Sequence, residues 1–147
     1  MPQPERMPIT DSFAAGGTAL VEFTRSLAEA SSLTELEHAF RPRFGRLMTA
    51  PMFGFYALDR EGTQIEHNVA VNVSDVFVDR YVRKMDVDPL LAQSQETRRP
   101  VYNLDLMSEA EWAESEVYRG AYFTHAMHHV LEVPILIGGE IVGALHC

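Results

Sequence analysis

Cysteine is nearly absent from this sequence, and the single one, Cys147, is its last residue. One thiol excludes an internal disulfide framework and any Cys-x-x-Cys metal or redox pair. Basic side chains are also few: 12 Lys and Arg stand against 21 Asp and Glu in 147 residues, a formal charge of −9. Such a balance repels a phosphate backbone, so the chain is not expected to bind DNA or RNA alone. No apolar run approaches the ~20 residues that cross a bilayer. The opening Met1-Pro2-Gln3-Pro4-Glu5-Arg6 lacks the charged-then-apolar order of a signal peptide, and a cytoplasmic location is expected. Missing too are a Gly-x-Ser-x-Gly elbow, a phosphate-cradling glycine loop and a His-Glu-x2-His pair. The expectation is a protein that is not an enzyme and carries no cofactor.

What remains is an ordinary globular composition, 46% apolar and 10% aromatic, enough for one domain with a core. Residues 1–11 read as a flexible lead-in and residues 12–147 as the domain. From about Asp11 a helical pattern begins, with Leu20, Phe23, Leu27 and Ala30 recurring on one face. A second helix opens at Ser32, where Glu35 completes a capping box, and Leu33, Leu36, Phe40, Phe44 and Leu47 form its apolar stripe. Pro42 inside it predicts a kink or an early end. The period then changes. Met52 to Leu58 is apolar on both faces, as a central strand would be, Asp59 to Gly62 make a turn, and Thr63 to Val71 return as an edge strand.

Asn72 or Ser74 caps a third helix running to about Lys84. Asp88-Pro89 starts another, ended by Arg98-Arg99-Pro100. Val101-Tyr102 follow as a brief strand, and Ser108 with Glu111 forms a second capping box ahead of Trp112. An amphipathic segment is expected over Val117 to Met127. Val130 to Ile137 and Glu140 to Cys147 are strands joined at Gly138-Gly139, a pair suited to the positive φ angles of a tight hairpin. The order is that of an α+β domain with antiparallel strands and inserted helices.

Phe77-x3-Tyr81, Asp88-Pro89, Pro100, the aromatic residues from Trp112 to Tyr122 and the closing strand–Gly-Gly–strand occur in an order that resembles the GAF-like sensor domains of LuxR-family transcriptional regulators. The resemblance spans roughly Ser12 to Cys147. It implies a GAF/PAS-like antiparallel sheet of about five strands with helices on both faces. In the autoinducer-binding members, which hold acyl-homoserine lactones, a Trp-x3-Tyr pair precedes an Asp-Pro whose aspartate accepts the ligand amide, and a second tryptophan follows. Here Phe77 stands for the first tryptophan, Tyr81 and Asp88 match, and Tyr102 lies near the second. Phenylalanine has no indole N–H to donate, so the resemblance speaks for the sensor fold more than for a lactone.

Asp88 has two readings, a helix cap and an acceptor for a ligand N–H. Aromatic rings with polar handles suit a cavity for a mostly apolar ligand, with Tyr56 and Tyr81 as preferred hydroxyl donors. The ligand-binding candidates are thus Tyr56, Phe77, Tyr81, Asp88, Tyr102 and Trp112. His125, His128 and His129 have a spacing that puts two imidazoles on one helical face, yet the chain leaves the helix there, so no metal site is expected. The partners expected are a small molecule, a second copy in a homodimer, and DNA only through a helix-turn-helix part beyond Cys147; none is a membrane. In the resembled family a helix follows the last strand, and its absence here implies an uncovered apolar surface that favours the dimer. The alternative is a GAF-like interaction module with a filled interior.

Overall fold

The computed structural model describes residues 9–147, with side chains from residue 16 onward. The lead-in expected over residues 1–11 therefore falls largely outside the described residues. The chain divides into two compact units, Met1–Ala50 and Pro51–Cys147.

The first unit holds helices α1 (Ile9–Glu29) and α2 (Leu33–Leu47). Their contact is made by three rings: Phe23 lies 6.1 Å from both Phe40 and Phe44, which stack at 4.9 Å. Leu20 and Leu33, expected on the buried stripes, stay 55% and 50% exposed because the phenylalanines fill the seam. Ser32 caps α2 as expected, accepting the Glu35 N–H. The Glu35 carboxylate, however, reaches back to the Ser31 N–H and hydroxyl, so the reciprocal half of the box closes one residue early. Pro42 does not end α2, which runs on to Leu47. An interior proline costs about 3 kcal/mol; burying Phe40 and Phe44, at about 1.5–3 kcal/mol each, offsets it.

The second unit is built on a five-stranded antiparallel sheet in the order β2-β1-β5-β4-β3. Its strands are β1 (Phe53–Leu58), β2 (Ile65–Val71), β3 (Val101–Tyr102), β4 (Leu131–Ile137) and β5 (Glu140–His146). As expected, β1 is interior, β2 lies at an edge, and the closing hairpin turns at Gly138 and Gly139 with φ of 58° and 85°. The α+β fold with five antiparallel strands is the one the sequence predicts.

Between β2 and β3 lie α3 (Asp75–Val82), a 3-10 turn at Met85–Val87 and α4 (Pro89–Thr97). Ser74 caps α3 through the Phe77 N–H, and Asp88 caps α4. Between β3 and β4 come α5 (Asn103–Leu106), α6 (Glu109–Glu114), α7 (Glu116–Gly120) and a 3-10 turn at Tyr122–His125. The capping box of Ser108 and Glu111 is formed in full. The single amphipathic segment expected over Val117 to Met127 is instead broken: Ser115 starts α7, Ala121 leaves helical geometry, and Ala126 adopts φ 50°.

Strand parity places the core. Residues paired across an antiparallel ladder share a face, so Tyr56 faces the same way as Ala144, and Glu132 the same way as Val101 and His146. That face packs against Phe77, Tyr81, Leu90, Trp112, Val117 and Tyr122 from the helices. Among the described residues no helix is long and apolar enough to cross a membrane.

Candidate functional site

An interior face of this kind is normally apolar, but here it contains two carboxylates. Asp88, at the start of α4, and Glu132, on β4, are 1% and 0% exposed. Burying an ionised group without partners is strongly unfavourable, and all four carboxylate oxygens are engaged.

Asp88 is the helix cap the sequence offers, and its second oxygen is taken by hydroxyls of the protein's own tyrosines. Oδ1 caps α4 by accepting the Leu90 N–H at 2.9 Å, while Oδ2 accepts the hydroxyls of Tyr81 at 2.9 Å and Tyr122 at 3.0 Å. Glu132 Oε1 accepts the hydroxyls of Tyr56 at 3.2 Å and Ser94 at 3.0 Å. Its Oε2 pairs with His146 Nε2 at 2.6 Å. Three tyrosine rings surround that imidazole, with centroids 5.3 Å away for Tyr56 and Tyr81 and 6.4 Å for Tyr122. Gly54 stands opposite His146 on β1, where a Cβ would meet the Val69 carbonyl oxygen at 2.2 Å. The strand approach thus demands a glycine and leaves that flank of the imidazole without a side chain.

The electrostatics follow from burial. Burial raises the Asp88 carboxyl above its ordinary range, and the Glu132 charge adds to the effect. For His146 burial opposes protonation, but the adjacent Glu132 carboxylate outweighs it and the net shift is upward. Burial, reinforced by neighbouring negative charge, pushes the phenols of Tyr56, Tyr81 and Tyr122 well above their usual value, so all three act as O–H donors.

Of the sequence candidates, Tyr56, Tyr81 and Asp88 meet in this cluster. Phe77 stacks on Tyr81 at 6.0 Å and touches the Tyr122 ring at 5.6 Å, forming part of the wall. Trp112 lies one layer further out, 5.1 Å from Tyr122, with its indole N–H committed to the Met127 carbonyl at 3.0 Å. Tyr102 is not brought to the cluster. It pairs with Leu131, one position out of phase with Glu132, so it projects from the opposite face and bonds His129 at 2.7 Å.

Glu132, His146, Ser94 and Tyr122 complete the cluster without having been singled out as site residues. The available signal was a lone acid in the apolar run Leu131-Glu132-Val133-Pro134 and a lone histidine in Ala144-Leu145-His146, both on interior strands.

Asp88, Glu132 and His146 each offer a ligand atom, all within 4.8 Å of one another, so this trio has the donor types for a divalent metal. Coordination by His146 Nε2 and Glu132 Oε2 would replace the hydrogen bond between them. The three histidines of the 125–129 segment take separate partners: His125 bonds Ser74, His128 bonds Tyr118 and His129 bonds Tyr102. What the cluster offers chemically is charge-assisted hydrogen bonding inside an aromatic enclosure.

No protein-family model matches the chain, and no curated protein matches it in sequence. Solved structures do. The N-acylhomoserine lactone dependent LuxR family transcription factor CepR2 from Burkholderia cenocepacia is similar with a TM-score of 0.67 at 17% identity, over 90% of this chain and 77% of that one. The VqsR LBD domain from Pseudomonas aeruginosa is similar with a TM-score of 0.56 at 16% identity, over 92% and 78%. The GAF domain of an Acinetobacter phosphoenolpyruvate-protein phosphotransferase gives 0.54 at 12% identity, over 90% and 75%. The chain thus has the GAF-like fold that this LuxR-family transcription factor and these two domains share.

Proposed function

We propose that the chain is the small-molecule-sensing domain of a LuxR-type transcriptional regulator, with its recognition site at Tyr56, Tyr81, Asp88 and Glu132. The observation that carries this reading is the buried polar cluster itself. A domain that only had to pack would be at least as stable with apolar residues there, since replacing buried ion pairs by well-packed apolar groups is often stabilising. The likeness of fold to CepR2, a transcription factor dependent on an N-acylhomoserine lactone, supports the reading.

In this proposal the domain is cytoplasmic and non-catalytic, acts as a homodimer, and leaves DNA contact to a helix-turn-helix part outside these residues. The net charge of −9 suits that division of labour. Ligand binding shifts output only as far as its affinity differs between two conformations. The exposed apolar stretch Ile135, Leu136 and Ile137 suits contact with a second copy.

One observation favours a second reading. Every oxygen of Asp88 and Glu132 is satisfied from within the protein, as in an interaction module with a filled core. Native mass spectrometry and thermal shift against a broad metabolite panel separate the two. The sensor reading expects at least one bound, stabilising compound, and its effect lost in Asp88→Asn. A panel without any stabilising compound favours the module.

A further inference from the structure

Resting on the sensor reading, we propose that the cluster recognises a small organic cation, an alkylammonium or guanidinium, and that His146 occupies the cation's place in this structure. Three features of the site lead there.

Charge comes first. Two carboxylates are buried together, and among the described residues the ion pair that reaches them comes from His146, with none from Lys or Arg. One imidazolium leaves the pair a formal charge short of neutral. A neutral ligand that presents carbonyl oxygens finds no favourable partner in Glu132, whereas a cation bearing several N–H groups meets acceptors on both carboxylates.

The second feature is the enclosure. Tyr56, Tyr81 and Tyr122 close around the imidazole, two of the three centroids within the ~6 Å over which a ring attracts a cation. Aromatic walls suit an organic cation, alkylammonium or guanidinium, which the ring faces attract; a hard divalent ion prefers oxygen ligands and retained water.

The third is accessibility. Asp88, Glu132, Tyr81, Tyr122 and Ser94 are at most 3% exposed, whereas the His146 side chain keeps 15% of its surface in solvent. His146 is thus the member that can swing out, and Gly54 beside it presents no side chain to obstruct the opening. The protein's own imidazolium then competes with the ligand. An internal competitor lowers apparent affinity by the fraction of time it holds the site.

The test uses the whole chain and two nearly isosteric probes, methylguanidinium and N-methylurea, which differ in charge. Binding is read by calorimetry on the wild type, His146→Ala and Glu132→Gln, with N-hexanoyl-homoserine lactone and Zn²⁺ as further arms. The expected result is that methylguanidinium binds the wild type at least about tenfold more tightly than N-methylurea, a preference of about 1.4 kcal/mol. His146→Ala is expected to tighten methylguanidinium again by about tenfold by removing the competitor, and Glu132→Gln to abolish the preference. Should His146→Ala fail to give a folded circular dichroism spectrum, His146→Gln serves, since it keeps a polar side chain without the charge.

Equal binding of the two probes overturns the cation assignment. Binding of the lactone with Tyr81→Phe sensitivity, and no preference for methylguanidinium, overturns it while leaving the sensor reading intact. Stabilisation by micromolar Zn²⁺ alone, reversed by a chelator, also overturns it and gives the cluster to a metal.

Discussion

Tyr81 and Tyr122 both donate to one oxygen of Asp88, so each hydroxyl can be removed while the other remains. Tyr81→Phe is expected to cost about 1.5–3 kcal/mol in urea denaturation, the range for a hydrogen bond to a charged acceptor. Asp88→Ala loses more, about 2–4 kcal/mol, because the α4 cap and both hydroxyl partners go together. A loss no larger than that of Tyr81→Phe would mean that the Asp88 bonds are weak. At this scale the sequence was readable where a residue had a local job. Asp88 declares itself through Pro89, and Tyr81 through its spacing from Phe77. Glu132 and His146 have no local job: their roles come from cross-strand neighbours at Val101 and Gly54, far apart in sequence.

Elements were readable where capping and turn chemistry is local. Ser32, Ser74, Asp88 and Ser108 start their helices as expected, and Gly138-Gly139 turns the last hairpin. What escaped depends on phase and on tertiary support. Tyr102 looked available until the pairing of β3 with β4 sent it to the opposite face. The Val117 to Met127 segment kept its apolar spacing but not its continuity. Part of the reason is Asn103, fully buried, which ties this connection down from β3: its Nδ2 donates to the His128 carbonyl at 2.8 Å and its Oδ1 accepts the Val130 N–H at 2.9 Å. Asn103→Ala leaves both backbone groups without that partner and is expected to cost about 2–4 kcal/mol, with hydrogen exchange accelerating first at Val130. Unchanged exchange there would show the connection to be held by other contacts. Gly139→Ala, at φ 85°, is expected to cost about 1 kcal/mol by the same denaturation assay.

For the whole molecule, the cluster links stability to pH. His146 binds its proton more tightly folded than unfolded, so the stabilisation is complete below its ordinary value of 6.5 and is lost as pH rises through the higher folded value. Asp88 has the same sign: its folded carboxyl is raised, so protonation favours the fold and stability falls as pH climbs from 3.8 through the raised value. Melting temperature is therefore expected to decline above pH 6.5 at constant ionic strength, and His146→Gln to flatten that decline. A wild-type profile that rises over this range would contradict the His146–Glu132 pair.

The most direct test of the sensor reading uses a probe already in place. Trp112 is the sole tryptophan, fully buried, 5.1 Å from the Tyr122 ring that donates to Asp88. Its fluorescence, titrated with compounds that stabilise the protein, is expected to change saturably and to lose that response in Asp88→Asn. Stabilising compounds that leave Trp112 unchanged, or act equally on Asp88→Asn, would place recognition elsewhere and contradict the account.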